Sequence, residues 1–165
     1  MADRHPNATH PNATHPNATH PNATHPNATY VEAMSAILIQ FFVPTVGEDD
    51  LVDECVDQLI ETYLFDGLHE NDAARIVNSQ LEFHRSELSV DDRSNWLRTK
   101  VDILPGELRK RTFAMLAYQF YFASDGSLND ESVEVLERAA RLLGLSSFES
   151  GKIIEVCEIL TRPIA

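Results

Sequence analysis

Four carboxylates stand in a pattern that occurs twice. Asp66 opens the stretch Asp66-Gly67-Leu68-His69-Glu70-Asn71-Asp72, and Asp125 opens Asp125-Gly126-Ser127-Leu128-Asn129-Asp130-Glu131. In each, an acid follows six residues after the first Asp, and the two stretches begin 59 residues apart. Hard divalent cations such as Ca²⁺ or Mg²⁺ take oxygen ligands, about six to eight of them for Ca²⁺. If the fold brings the two turns together, Asp66, Asp72, Asp125 and Glu131 converge, with Glu70 and Asp130 close by. Carboxylates crowded in this way repel one another unless a cation or proton intervenes. Neither stretch is an EF-hand. Aligning Asp125 and Gly126 with the fifth and sixth loop positions leaves Tyr121, Ala123 and Ser132 where ligands are needed, so a site has to be built from both turns. The competing reading needs no ligand: Asp-Gly is ordinary turn chemistry. Acids in the first turn of a helix stabilise it by about 0.3–1 kcal/mol each.

Those turns must be held by helices. Apolar positions recur at three- and four-residue steps through most of the chain, and no convincing period-two run appears. The first helix is expected from Tyr30 to Val43, broken at Pro44 and Gly47. The second starts at Glu48, Asp49 and Asp50 and buries Val52, Cys55, Val56, Leu59, Ile60 and Tyr63. Asn71 is the expected N-cap of a third, with Ala73, Ile76, Val77, Leu81 and His84 on one face. Ser89 and Asp92 open a fourth with Val90, Leu97, Val101 and Leu104 on its stripe and Trp96 and Ile103 on its flank. Pro105 fits the first turn of a fifth, which from Phe113 to Ala123 is apolar nearly all round and is expected to be the buried central helix. It stops where Gly126 can adopt a left-handed conformation. Asn129 caps a sixth helix with Val133, Leu136, Ala140 and Leu143 inside, stopped by Gly144. Ser146 and Glu149 form a capping box for a seventh that buries Ile153, Ile154, Cys157 and Leu160 before Pro163. The expectation is an all-α bundle of seven helices, internally duplicated as two helix–Asp-Gly turn–helix units.

Composition divides the chain into a tail, residues 1–29, and a folded domain, residues 30–165. Residues 5–29 are five copies of His-Pro-Asn-Ala-Thr. A five-residue period builds no helical or strand face, and Pro in every copy blocks a helix, so the tail reads as disordered. Each copy also holds an N-glycosylation sequon and an imidazole able to chelate a transition metal, readings set aside in favour of expansion of a short repeat. The tail carries one Asp and one Arg, so the net charge of −13 belongs to the domain. An acidic domain repels phosphate backbones, which argues against nucleic acid as a partner. The most apolar run, Met34 to Val43, is ten residues long, about half of what a bilayer span needs, and membrane insertion is not expected. Cys55 and Cys157 lie on apolar stripes and read as buried thiols in a reducing compartment.

The second turn, Ala123-Ser124-Asp125-Gly126-Ser127-Leu128-Asn129-Asp130-Glu131, with Leu143-Gly144-Leu145-Ser146 after it, resembles the tellurite-resistance TerB family and the helical domain of some J-domain co-chaperones. The likeness covers roughly residues 48–160. At the first turn it is looser, because His69 and Glu70 stand where an apolar residue and a capping Ser or Asn are expected. The resemblance implies a bacterial, cytoplasmic, non-enzymatic protein of metal or oxyanion stress, with a divalent cation held by acidic residues.

Other constellations are weaker. His69 and His84 lack a third ligand at zinc spacing. No phosphate loop, nucleophile elbow or Cys–His pair is present. Arg109-Lys110-Arg111 reads as a solvated face paired with acids, or as a docking patch for an acidic partner. Three functions stand open on these residues: a cation-binding stress protein using Asp66, Asp72, Asp125 and Glu131; a protein-interaction module whose acidic turns are structural; and, least favoured, a metal-assisted hydrolase.

Overall fold

Residues 26–86 and 89–164 are described in a computed structural model. Among them are seven helices and no strand: α1 (Ala28–Val46), α2 (Asp49–Phe65), α3 (Glu70–His84), α4 (Val90–Ile103), α5 (Gly106–Ala123), α6 (Asp130–Leu142) and α7 (Ser147–Thr161). The expected all-α class is the observed one. Four of the five repeat copies and His25 of the fifth, with the disorder expected of them, lie outside the described residues, which take in the closing Pro26-Asn27-Ala28-Thr29. That last copy does not stop short of the domain: α1 begins at Ala28, which is buried. Asn27 Nδ2 donates to the Asp66 carbonyl at 3.4 Å.

The hub is α1 rather than α5. It packs against α2, α3, α4, α5 and α6, whereas α5 packs against α1, α6 and α7. Ala33, Ala36, Ile37, Leu38 and Ile39 are buried on several sides of α1, which is what an all-round apolar helix requires. By length and composition α1 also suffices to cross a membrane, with mean hydropathy 1.4, but half of that stretch is buried inside the protein. Pro44 does not break the helix. It falls in the last turn, where a missing N–H costs one hydrogen bond, and the chain leaves at Gly47 with φ 71°.

Side-chain caps fix most helix starts. Ser89 Oγ accepts from Asp92 N, Asn129 Oδ1 from Ser132 N at 2.8 Å, and Ser146 with Glu149 forms a reciprocal box. The cap of α3 is His69, not Asn71: its Nδ1 accepts from Asn71 N at 3.1 Å. Pro105 likewise sits one position before the fifth helix. Between α3 and α4, Phe83 stacks on Trp96 with centroids 4.2 Å apart. Lys100 bridges from α4 to Glu32 on α1 at 3.1 Å.

Three expected stripes are displaced. On α6, Val135 and Ala139 are buried with Leu136 and Ala140, while Val133 is exposed. On α4, Val90 is exposed. On α7, Cys157 is the one fully buried side chain; Ile153 and Ile154 are half-buried and Leu160 is 69% exposed.

Candidate functional site

The two Asp-Gly corners share a design. Gly67 and Gly126 both take φ 89°, a value open to glycine at little cost. Each also closes its helix by a return bond: Leu68 N to Tyr63 O at 3.2 Å at the first corner, and Gly126 N to Tyr121 O at 2.8 Å at the second. The corners then differ. Asp66 keeps a negative φ of −83°, while Asp125 adopts φ 54°, so the second turn spends two residues in the left-handed region.

Their carboxylates do different things. Asp66 accepts two hydrogen bonds from one guanidinium, Arg111 Nη1 at 2.9 Å and Nη2 at 2.8 Å, tying the α2–α3 corner to α5. That hydrogen bond, with the charge of Asp66 behind it, raises the Arg111 pKa further. Asp72 pairs with Arg75 one turn along α3 at 3.3 Å. Asp125 lines a cleft of about 580 Å³ whose other carboxylates are Glu48 and Glu54, from the start of α2. Glu131 lies exposed in the first turn of α6. Among the described residues no group of three or more His, Cys, Asp or Glu side chains is placed to hold a metal ion. The convergence of Asp66, Asp72, Asp125 and Glu131 is therefore not what the fold builds. Both oxygens of Asp66 already have a cationic partner, and a carboxylate so engaged is a poor ligand.

Both thiols, His84 and Lys110 have partners within the fold. Cys55 Sγ donates to Gln119 Oε1 at 3.1 Å, and burial pushes its thiol up to about 12. Burial also raises Cys157. Both cysteines are free and buried, which leaves little thiolate for chemistry. His84 Nδ1 lies 3.1 Å from Gln40 Oε1. Lys110 lies 3.6 Å from Glu107 and 3.7 Å from Glu149 and Arg111 holds Asp66, whereas Arg109 Nε donates to the Leu104 carbonyl at 2.9 Å, so two of the three cations of the basic run are paired with acids.

A different place stands out. A groove of about 560 Å³ runs between α2, α5 and α7, with Phe65, Met115, Tyr118, Val156 and Leu160 among its lining residues. Phe65, 94% exposed, sits at the end of α2, where Asp66-Gly67 turns the chain away. Arg111, pinned by Asp66, lines the same groove. The first corner thus shapes one end of an apolar surface. Sequence reasoning passed over these residues because it read the fifth helix as buried nearly all round and put Leu160 on the buried stripe of the seventh, and Phe65 and Val156 fell on no stripe it drew. The available signal was an excess: α7 has more apolar positions than one contact with α5 can cover.

Compared with protein-family models, with curated proteins and with solved structures, the chain matches none.

Proposed function

We propose that this protein is a non-enzymatic helical interaction module that docks a protein partner in the groove between α2, α5 and α7. The observation that carries this reading is the set of large apolar side chains left in solvent along one groove: Phe65, Tyr118, Val156 and Leu160. Contiguous exposed apolar surface of this kind is characteristic of binding sites on folded domains. The acidic turns then have the role of corners, with Asp66 holding Arg111 at the groove's end. The TerB-like motifs from Ala123 to Glu131 and from Leu143 to Ser146 are the ground for placing such a partner in a metal or oxyanion stress response.

The test compares stability with contact. Phe65→Ser and Leu160→Asp remove apolar side chains from solvent, so each should leave unfolding free energy within about 0.5 kcal/mol of wild type. A photo-crosslinking residue placed at Tyr118 in cells should give a discrete adduct that these substitutions abolish, and one placed at Val90 should give none. Adducts at Tyr118 unaffected by both substitutions would overturn the reading. So would a large loss of stability, since the side chains would then belong to the core.

A further inference from the structure

The occupant of the groove has a readable chemistry. Each wall is a helical ridge: Gln58, Glu61, Thr62 and Phe65 from α2, and Arg111, Ala114, Met115 and Tyr118 from α5. Both sets step by three, four and seven residues, the rows into which a third helix packs its own ridge. No strand edge exists among the described residues for an extended peptide to join. The ridges span eight residues each, about 10 Å of helix, so about two turns of a partner would be gripped.

The charge along the α2 wall is one-sided, and the one cation lining the groove, Arg111, is held by Asp66. Helix α2 carries Asp49, Asp50, Asp53, Glu54, Asp57 and Glu61 and no Lys or Arg. All six are exposed, and none forms an ion pair with a described residue. Asp50, Glu54, Asp57 and Glu61 fall at steps of four, three and four along one face. Like charges at that spacing repel and destabilise a helix. Glu61 itself lines the groove. A second copy of this chain would bring the same acidic rim against itself, and an anionic lipid surface would be repelled by it.

Resting on the docking reading above, we infer that the groove takes an amphipathic α-helix of a partner protein, apolar on the face it buries and rich in Lys or Arg on the flank that meets α2. The apolar stripe supplies affinity, and the basic flank fixes orientation and speeds encounter.

The probe is a fluorescent 18-residue Leu/Lys peptide with Leu at helical three- and four-residue spacing, titrated by anisotropy against the full chain. Controls are a scrambled peptide of the same composition and Leu/Glu and Leu/Gln peptides with the same Leu pattern. The Leu/Lys peptide should bind at least about tenfold more tightly than any control, and Leu160→Asp should weaken it about tenfold or more. Joint replacement Asp53→Asn, Glu54→Gln, Asp57→Asn and Glu61→Gln should weaken it several-fold and flatten its dependence on salt. That variant relieves repulsion, so its melting temperature should hold or rise and unfolding cannot mimic the result. If the Leu/Gln or Leu/Glu peptide binds equally well and Leu160→Asp still weakens it, the basic partner is overturned while the docking groove stands. If no patterned peptide exceeds the scrambled one, or Leu160→Asp changes nothing, both readings fall. Concentration-dependent dimerisation, or binding to vesicles containing phosphatidylserine, would overturn the inference if Leu160→Asp abolished it.

Discussion

Tyr63 has no exposure to solvent, yet it carries a hydroxyl. That hydroxyl lies 3.0 Å from Ser35 Oγ on α1, and Ser35 also donates to the Val31 carbonyl at 2.7 Å. The single Ser35 proton is thus spoken for, and the Tyr63 hydroxyl is the natural donor of the pair. An asymmetry follows. Tyr63→Phe removes a donor and leaves Ser35 still bonded to Val31, so it should cost about 1 kcal/mol. Ser35→Ala strands a buried phenol without a partner and should cost more, about 1–3 kcal/mol. Urea denaturation of both variants would check the order, and the reverse order would remove this account of the α1–α2 contact. Asp66 was legible in the sequence as a turn residue, because Asp-Gly after an apolar run has a local cause. Its partner was not: Arg111 lies 45 residues away, and nothing in local spacing links the two. Replacing Asp66 by Asn and Arg111 by Gln, singly and together, should give a coupling energy of about 1 kcal/mol in a double-mutant cycle, since the pair is bidentate yet partly open to water. Near-zero coupling would mean that the corner stands without it.

At the scale of helices, starts and stops were legible and faces less so. Ser89, Asn129, Ser146 and Gly144 act within one turn of their own position, so their chemistry is written locally. Which face a helix buries is decided by distant partners. The second helix was read well because its stripe is bounded by acids. The seventh was misjudged because Phe148, Val156, Ile159 and Leu160 spread apolar surface beyond the side that α5 covers. His84 shows the same dependence on context at the end of α3. Burial first, then the charges of Arg93 and Arg85, holds its pKa below the ordinary 6.5. In the unfolded chain it titrates near that ordinary value. Below it the unfolded state takes up a proton that the folded state resists, so the contribution of His84 is full above 6.5. It is lost as pH falls through the lower folded value. Denaturation midpoints at about pH 7.5 and pH 5.5 should therefore fall more for wild type than for His84→Gln, which keeps a polar side chain at the site without the titration. Equal falls would show that His84 is not linked to folding.

Across the whole molecule the dominant electrostatic fact is a net charge of −13, all of it on the domain that follows the repeats. A compact acidic body repels itself, and the six carboxylates of α2, none paired with a described residue, add to that repulsion along the helix. Ions should stabilise it by screening, and this sets how a metal titration must be read. A bound divalent cation at 100 times its dissociation constant adds about 2.7 kcal/mol, with saturation. Screening instead depends on ionic strength, with a Debye length of about 10 Å at 0.1 M. With Asp66 held by Arg111 and no cluster assembled from Asp72, Asp125 and Glu131, the domain should respond to CaCl₂ and MgCl₂ no more than to NaCl of the same ionic strength. Thermal melts in EDTA, in millimolar divalent salt and in matched NaCl would separate the two. A saturable rise specific to one divalent ion, lost in Asp125→Asn, would return the chemistry to the second corner, where Asp125 shares its cleft with Glu48 and Glu54. A rise that NaCl reproduces, and that the neutralised α2 variant reduces, would trace the response to like-charge repulsion along α2.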